Sequence, residues 1–206
     1  MNKKQLIVVW VILILLVSNG YVQGGERMDS NKISSALVGE KLSDIFIDTL
    51  SSPDELHKFK KEFSIQATDT ETYLCLSSLY FLSFIRVAES GNIKLPSEII
   101  EKISHNLASF LVAKYLVLHK VNDNEDTLLM KQNEITQHLI QVWDENIHKE
   151  PAPHWYVAKE ICFILNGGDK TPDLPLITAL TGFLSNDTIM INKIFDELTE
   201  KFVITE

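Results

Sequence analysis

Tyr73-Leu74-Cys75-Leu76-Ser77-Ser78-Leu79-Tyr80-Phe81-Leu82-Ser83-Phe84-Ile85 is the stretch that decides the fold of this 206-residue chain. Ten of its thirteen residues are apolar, the other three are serines, and no charge falls between Thr72 and Ile85. A helix that is apolar on nearly every side has to be surrounded by protein. The run is too long for a typical buried strand. It is too short and too serine-rich to span a bilayer, which takes about 20 apolar residues. A central helix over about 69–90, closed by Gly91, is therefore expected, with the other elements wrapped around it.

The flanks agree with that reading. Upstream, Ile33, Leu37, Ile45, Ile47 and Leu50 make a helical stripe over about 31–50, with Asp29 or Ser30 as its cap. Ser52-Pro53-Asp54-Glu55 has the order of a capping box with proline at the first helical position, and Leu56, Phe59 and Phe63 follow at helical spacing. Downstream, Pro96-Ser97-Glu98 opens a helix carrying Ile99, Ile103, Leu107, Phe110, Leu111 and Leu118. After the turn Asn122-Asp123-Asn124-Glu125, a helix over about 127–148 turns Leu128, Ile135, Leu139 and Val142 inward. Glu150-Pro151-Ala152-Pro153 is an extended connection, because proline restricts itself and the residue before it. His154 to Leu165 is a short apolar helix ended by Asn166-Gly167-Gly168. Two more helices are expected, one over about 174–184 and one capped by Asn186-Asp187 with Ile191, Ile194, Phe195, Leu198 and Phe202 inward. The sum is an all-α protein: one compact domain of about eight helices over 25–206, with no strand and no self-similar repeat.

The first 24 residues read as an export signal. Lys3 and Lys4 precede an unbroken apolar run from Leu6 to Val17, and small or polar residues follow at Ser18-Asn19-Gly20 and Gln23-Gly24-Gly25. Cleavage after Gly24 or Gly20 would fit, and no cysteine stands there for lipid attachment. A secreted or periplasmic protein is expected. The alternative is an outward-facing domain held by an uncleaved anchor over residues 5–22, although the 12-residue run is short for one. No stable membrane span is expected in the mature chain.

Removal of 24 residues leaves 182, enough for one domain that folds without a disulfide or a metal. Without Lys3 and Lys4 the net charge of −9 becomes −11. A chain so acidic repels nucleic acid and is drawn to basic protein partners. Acidity also simply keeps an exported protein soluble. Cys75 and Cys162 both sit in apolar contexts. In an oxidising compartment they could close a loop of about 86 residues, a stabilisation of about 4 kcal/mol. The other reading is two free, buried, inert thiols.

Two groups of residues stand out as candidate sites. Glu134, His138, Gln141, Glu145 and His148 are spaced four, three, four and three, which stacks them along one helix face. Glu145 with His148 forms the Glu-x-x-His pair that carboxylate bundles offer to a divalent metal, although those sites take a second such pair from another helix. Glu101 with His105, spaced four, is the nearest substitute. The same stripe is also what the solvated back of an amphipathic helix looks like. The second group is aromatic: Trp143, His154, Trp155 and Tyr156 flank the proline-rich connection. Exposed tryptophan and tyrosine anchor binding surfaces, and buried they would be ordinary core.

No C-x-x-C pair, H-E-x-x-H, G-x-S-x-G or phosphate loop is present, and no cofactor is indicated. Asn186-Asp187-Thr188 matches a glycosylation sequon but reads more simply as a helix cap. With no assembled catalytic constellation, the expected function is non-enzymatic binding of a protein partner, as in inhibitors, immunity proteins and assembly factors of the cell envelope. The competing expectations are a metal-binding protein or metal-dependent envelope enzyme using Glu134, His138, Glu145 and His148, and a helical carrier with an apolar cavity beside Tyr73–Ile85.

Overall fold

The computed structural model describes residues 32–50, 52–91, 93–168 and 173–206, with only the backbone at 47–50. The expected export signal and anchor lie outside the described residues. Ile33–Glu206 forms one compact unit. The described elements run β1 (Lys32–Ser34), α1 (Ser35–Leu50), α2 (Pro53–Glu62), α3 (Asp69–Glu89), α4 (Ser97–His119), α5 (Glu125–Asn146), α6 (Pro153–Leu165), α7 (Leu174–Lys201) and β2 (Val203–Thr205). The fold is all-α, as the sequence predicts.

The charge-free stretch is the central helix. Every residue of α3 from Thr72 to Phe84 is buried, and so is Val87. Four helices, α4 to α7, pack on it, and α2 touches it. Its start is held by a full capping box: Thr68 accepts from the Glu71 amide, and the Glu71 carboxylate accepts from the Thr68 amide at 2.8 Å. The serines inside α3 satisfy themselves without solvent. Ser77 and Ser83 donate to Leu74 O and Leu79 O of their own helix, and Ser78 donates to Gln132 O of α5 at 3.2 Å. Buried tyrosines tie neighbours to it: Tyr80 donates to Leu42 O of α1 at 2.9 Å, and Tyr73 to Leu111 O of α4 at 2.8 Å. Tyr73 also stacks on Tyr115 at 4.5 Å between ring centres.

The other ends follow local chemistry. Ser52 accepts from the Glu55 amide and Asn124 from the Thr127 amide, each at a helix start. Gly167 adopts φ +67°, a left-handed conformation in which the Gly168 amide reaches back to Phe163 O.

Three expectations are corrected. The first helix starts at Ser35, where Ser34 Oγ accepts from the Leu37 amide, and not near residue 31. Two three-residue strands, β1 and β2, pair with each other and bury Ile33 and Ile204. They are too short to show an alternating pattern. The last two expected helices are one 28-residue helix, α7, so seven helices are described. Asn186-Asp187 does not break it, because no glycine or proline stops the chain there. Thr181, Ser185 and Thr188 each turn a hydroxyl back onto the carbonyl four residues earlier. Asp173 caps the start through the Leu176 amide. Among the described residues, α7 is long and apolar enough, by length and composition alone, to cross a membrane. Its Ile177–Leu180–Leu184–Ile191–Phe195 stripe is buried in the bundle.

Candidate functional site

The four sequence-predicted aromatics gather where α5 hands over to α6, and all are half-buried. Trp143 comes from the last turn of α5, and His154, Trp155 and Tyr156 from the first turn of α6. The connection between them includes a cis Glu150–Pro151 bond. His154 meets Trp143 edge to face at 4.5 Å, and burial lowers its pKa, which favours the neutral imidazole. Trp155 and Tyr156 meet at 5.2 Å with planes 88° apart. The Tyr156 hydroxyl donates to Glu150 O at 3.1 Å.

Cations cover these rings. Arg86 of α3 lies over Trp143, Lys159 over Trp155 and Lys149 over Tyr156, at 5.4, 5.4 and 5.9 Å from the ring centres. Arg86 is the anchor of the group. Its Nη1 donates to Glu89, its Nη2 donates to Asp144 at 2.9 Å, and its Nε is buried without a partner. Ile147, 50% exposed, stands beside the connection. The result is two half-buried aromatic pairs, Trp143–His154 and Trp155–Tyr156, with a cation over three of the four rings. Residues 134–160 hold five carboxylates, Glu134, Asp144, Glu145, Glu150 and Glu160, against Lys149 and Lys159, and Arg86 adds a third cation, so the local excess is two negative charges.

The polar stripe runs along α5 from Glu134 to Glu145, while His148, expected on the same helix, falls past its end at Asn146. Glu134, His138, Glu145 and His148 are all exposed. His138 Nε2 meets Glu160 of α6 at 2.9 Å, and Gln141 donates to Glu145 at 2.9 Å. Among the described residues no group of three or more His, Cys, Asp or Glu side chains converges as a metal ion needs. The stripe is a solvated helix face stitched to its neighbours, with no second ligand pair brought opposite it. Of the two readings of Cys75 and Cys162, the structure has the free, buried thiols. Burial pushes Cys75 up to about 12 and raises Cys162 too, which makes both poor nucleophiles at neutral pH. An apolar chamber beside Tyr73–Ile85 is not what the bundle offers at Phe81, where an open groove of mixed lining reaches that stretch.

Two buried polar residues escaped the sequence reading. Gln132 is 1% exposed and Asp187 is 7% exposed. Gln132 Oε1 and Asp187 Oδ2 are both without a hydrogen-bond partner. Burial raises the Asp187 pKa to about 8, so its carboxyl is mostly protonated at pH 7. Both were legible as exceptions to a stripe. Gln132 stands four after Leu128 and three before Ile135, and Asp187 three after Leu184 and four before Ile191. Compared with known proteins, the chain matches no family model, no curated protein and no solved structure.

Proposed function

We propose that this chain is a non-enzymatic binding module that acts on a basic protein partner outside the cytoplasm, as an inhibitor, immunity protein or assembly factor does. The half-buried pairs Trp143–His154 and Trp155–Tyr156 at the α5–α6 connection support this reading best. Tryptophan, tyrosine and arginine are the residues that most often dominate a protein interface, and a rigid patch loses little entropy when it docks. The acidic surround would steer a basic partner toward it and set the register. The basic, apolar and small-residue order of the first 24 residues supports export. Asp187, Cys75 and Tyr73, whose pKa values burial raises, lie in the interior of the bundle.

The test is in-cell cross-linking of the full chain in its own host, beside Trp155→Ala and Trp143→Ala. A discrete basic partner should be recovered with the natural chain and fall about tenfold with either variant, as loss of one interface anchor predicts. Thermal unfolding should show both variants folded. A partner recovered equally from all three chains would refute the placement, and recovery of no discrete partner would refute the function.

A further inference from the structure

The rings at the α5–α6 connection already hold cations. Among the described residues the three cation–ring contacts all fall there: Arg86 over Trp143, Lys159 over Trp155 and Lys149 over Tyr156. A chain of this size carries about that many on average, one per 70–80 residues. Their number is therefore ordinary, and their gathering at one connection is not.

The three cations are held very differently. The Arg86 side chain is 16% exposed and is fixed by Glu89, Asp144 and the Ile140 carbonyl. Lys149 is exposed and donates to Asn146 Oδ1 at 3.0 Å. Lys159 is exposed and makes no hydrogen bond or ion pair among the described residues, so the Trp155 ring is all that holds its ammonium. A single exposed contact of that kind is weak, and the lysine stem gives up rotamer freedom to make it. Arg86 belongs to the packing of the bundle, whereas the two lysines can return to water without disturbing it.

A guanidinium is the cation suited to take their place. It is planar, so it stacks on a ring face, and it sheds water more readily than an ammonium. It also pairs with a carboxylate through two parallel hydrogen bonds. Glu150 offers one. Its carboxylate is exposed and makes no hydrogen bond or ion pair among the described residues. Its carbonyl receives the Tyr156 hydroxyl at 3.1 Å, which ties the residue to that side chain. The local excess of two negative charges draws an incoming cation toward the connection.

We infer that Trp155 and Tyr156 are seats for arginine side chains of the partner, that Lys159 and Lys149 occupy those seats in the free chain and give way on docking, and that Glu150 pairs with the arriving guanidinium. This rests on reading the connection as the partner-binding surface. It adds the chemistry of the partner: an arginine-bearing segment, told apart from a lysine-bearing one.

Calorimetric titration of the full chain with synthetic peptides tests this. The probes are four repeats of Arg-Gly-Ser, the same peptide with lysine, and the same peptide with neutral citrulline. The arginine peptide should bind saturably, about tenfold tighter than the lysine peptide, with the citrulline peptide unbound. Trp155→Ala leaves every charge in place, yet it should cut that preference several-fold. Glu150→Gln should weaken the arginine peptide several-fold at an unchanged melting temperature. Lys159→Ala should strengthen the arginine peptide about threefold, and the lysine peptide less. No saturable binding of the arginine peptide, equal binding of the arginine and lysine peptides, or a preference that Trp155→Ala leaves intact would overturn the assignment. A natural partner cross-linked through Trp155, to a chain that binds the two peptides alike, would keep the function and remove the arginine seats. Arginine-selective binding with no partner recovered would do the reverse.

Discussion

At the scale of single residues, Asp187 departs most from what its neighbourhood in the chain suggests. Asn186-Asp187 has the composition of a helix cap, yet the helix runs through it and puts the carboxyl in the core stripe near Tyr80. The aspartate is raised from 3.8 to about 8 in the fold, while the unfolded chain ionises near 4. Below pH 4 both states are protonated and the site costs nothing. Between pH 4 and 8 the unfolded state ionises first, so the native state loses stability as pH rises, and the loss levels off above pH 8. Asp187→Asn mimics the neutral form. It should raise stability at pH 7 by about 2–4 kcal/mol and flatten the pH dependence between 4 and 8. Urea unfolding at a series of pH values reads this directly, and a variant with the natural pH slope would show that the carboxyl finds solvent or a donor. Gln132 and Asp187 share one lesson. A stripe read from apolar residues alone passes over a polar residue at an inward position, because only the packed neighbours reveal that it is enclosed.

At the scale of elements, two helical glycines make opposite demands. In α1, a Cβ on Gly39 would stand 2.9 Å from Asn106 Cβ and 3.0 Å from the Leu107 amide of α4. The backbone there cannot yield cheaply, so the glycine is what lets α1 and α4 approach. Gly39→Ala should destabilise by about 1–3 kcal/mol. In α7, a Cβ on Gly182 meets nothing within 4 Å, and the position is exposed. Gly182→Ala should stabilise by about 0.5–1 kcal/mol through helix propensity alone. Thermal denaturation of the two variants checks both signs, and the same sign for both would contradict the packing. In the sequence the two glycines look alike, each set among helix formers. Their difference is the distance to another helix, which no local pattern contains.

At the scale of the whole molecule, one helix is enclosed by the rest. α3 meets neighbours on all sides, while α2 keeps one buried residue, Leu56, on a largely exposed helix. Local opening of α2 therefore exposes little apolar surface, and exposing α3 requires the bundle to come apart. Hydrogen-exchange mass spectrometry should find the amides of residues 74–84 exchanging only through global unfolding. Those of 54–62 should exchange orders of magnitude faster. Equal protection of the two segments would mean that α2 is held by more than its visible contacts.

Residues 73–85 dictate an all-α bundle built around them before any packing is known. A charge-free run of that length has no stable home except the middle of a helical domain. Most helix ends are set locally as well, because serine, threonine, asparagine and glycine act on backbone groups within a few residues. Packing across the bundle is what makes α7 one helix, leaves Cys75 and Cys162 unpaired, turns the α5 stripe to solvent, and buries Gln132 and Asp187. Each of those depends on which surfaces meet across long separations, and spacing along one helix does not carry that information. The aromatic patch lies between the two cases. Its members were legible as a cluster along the chain, but their half-burial and the cations of Arg86, Lys149 and Lys159 over their rings came from the meeting of α3, α5 and α6.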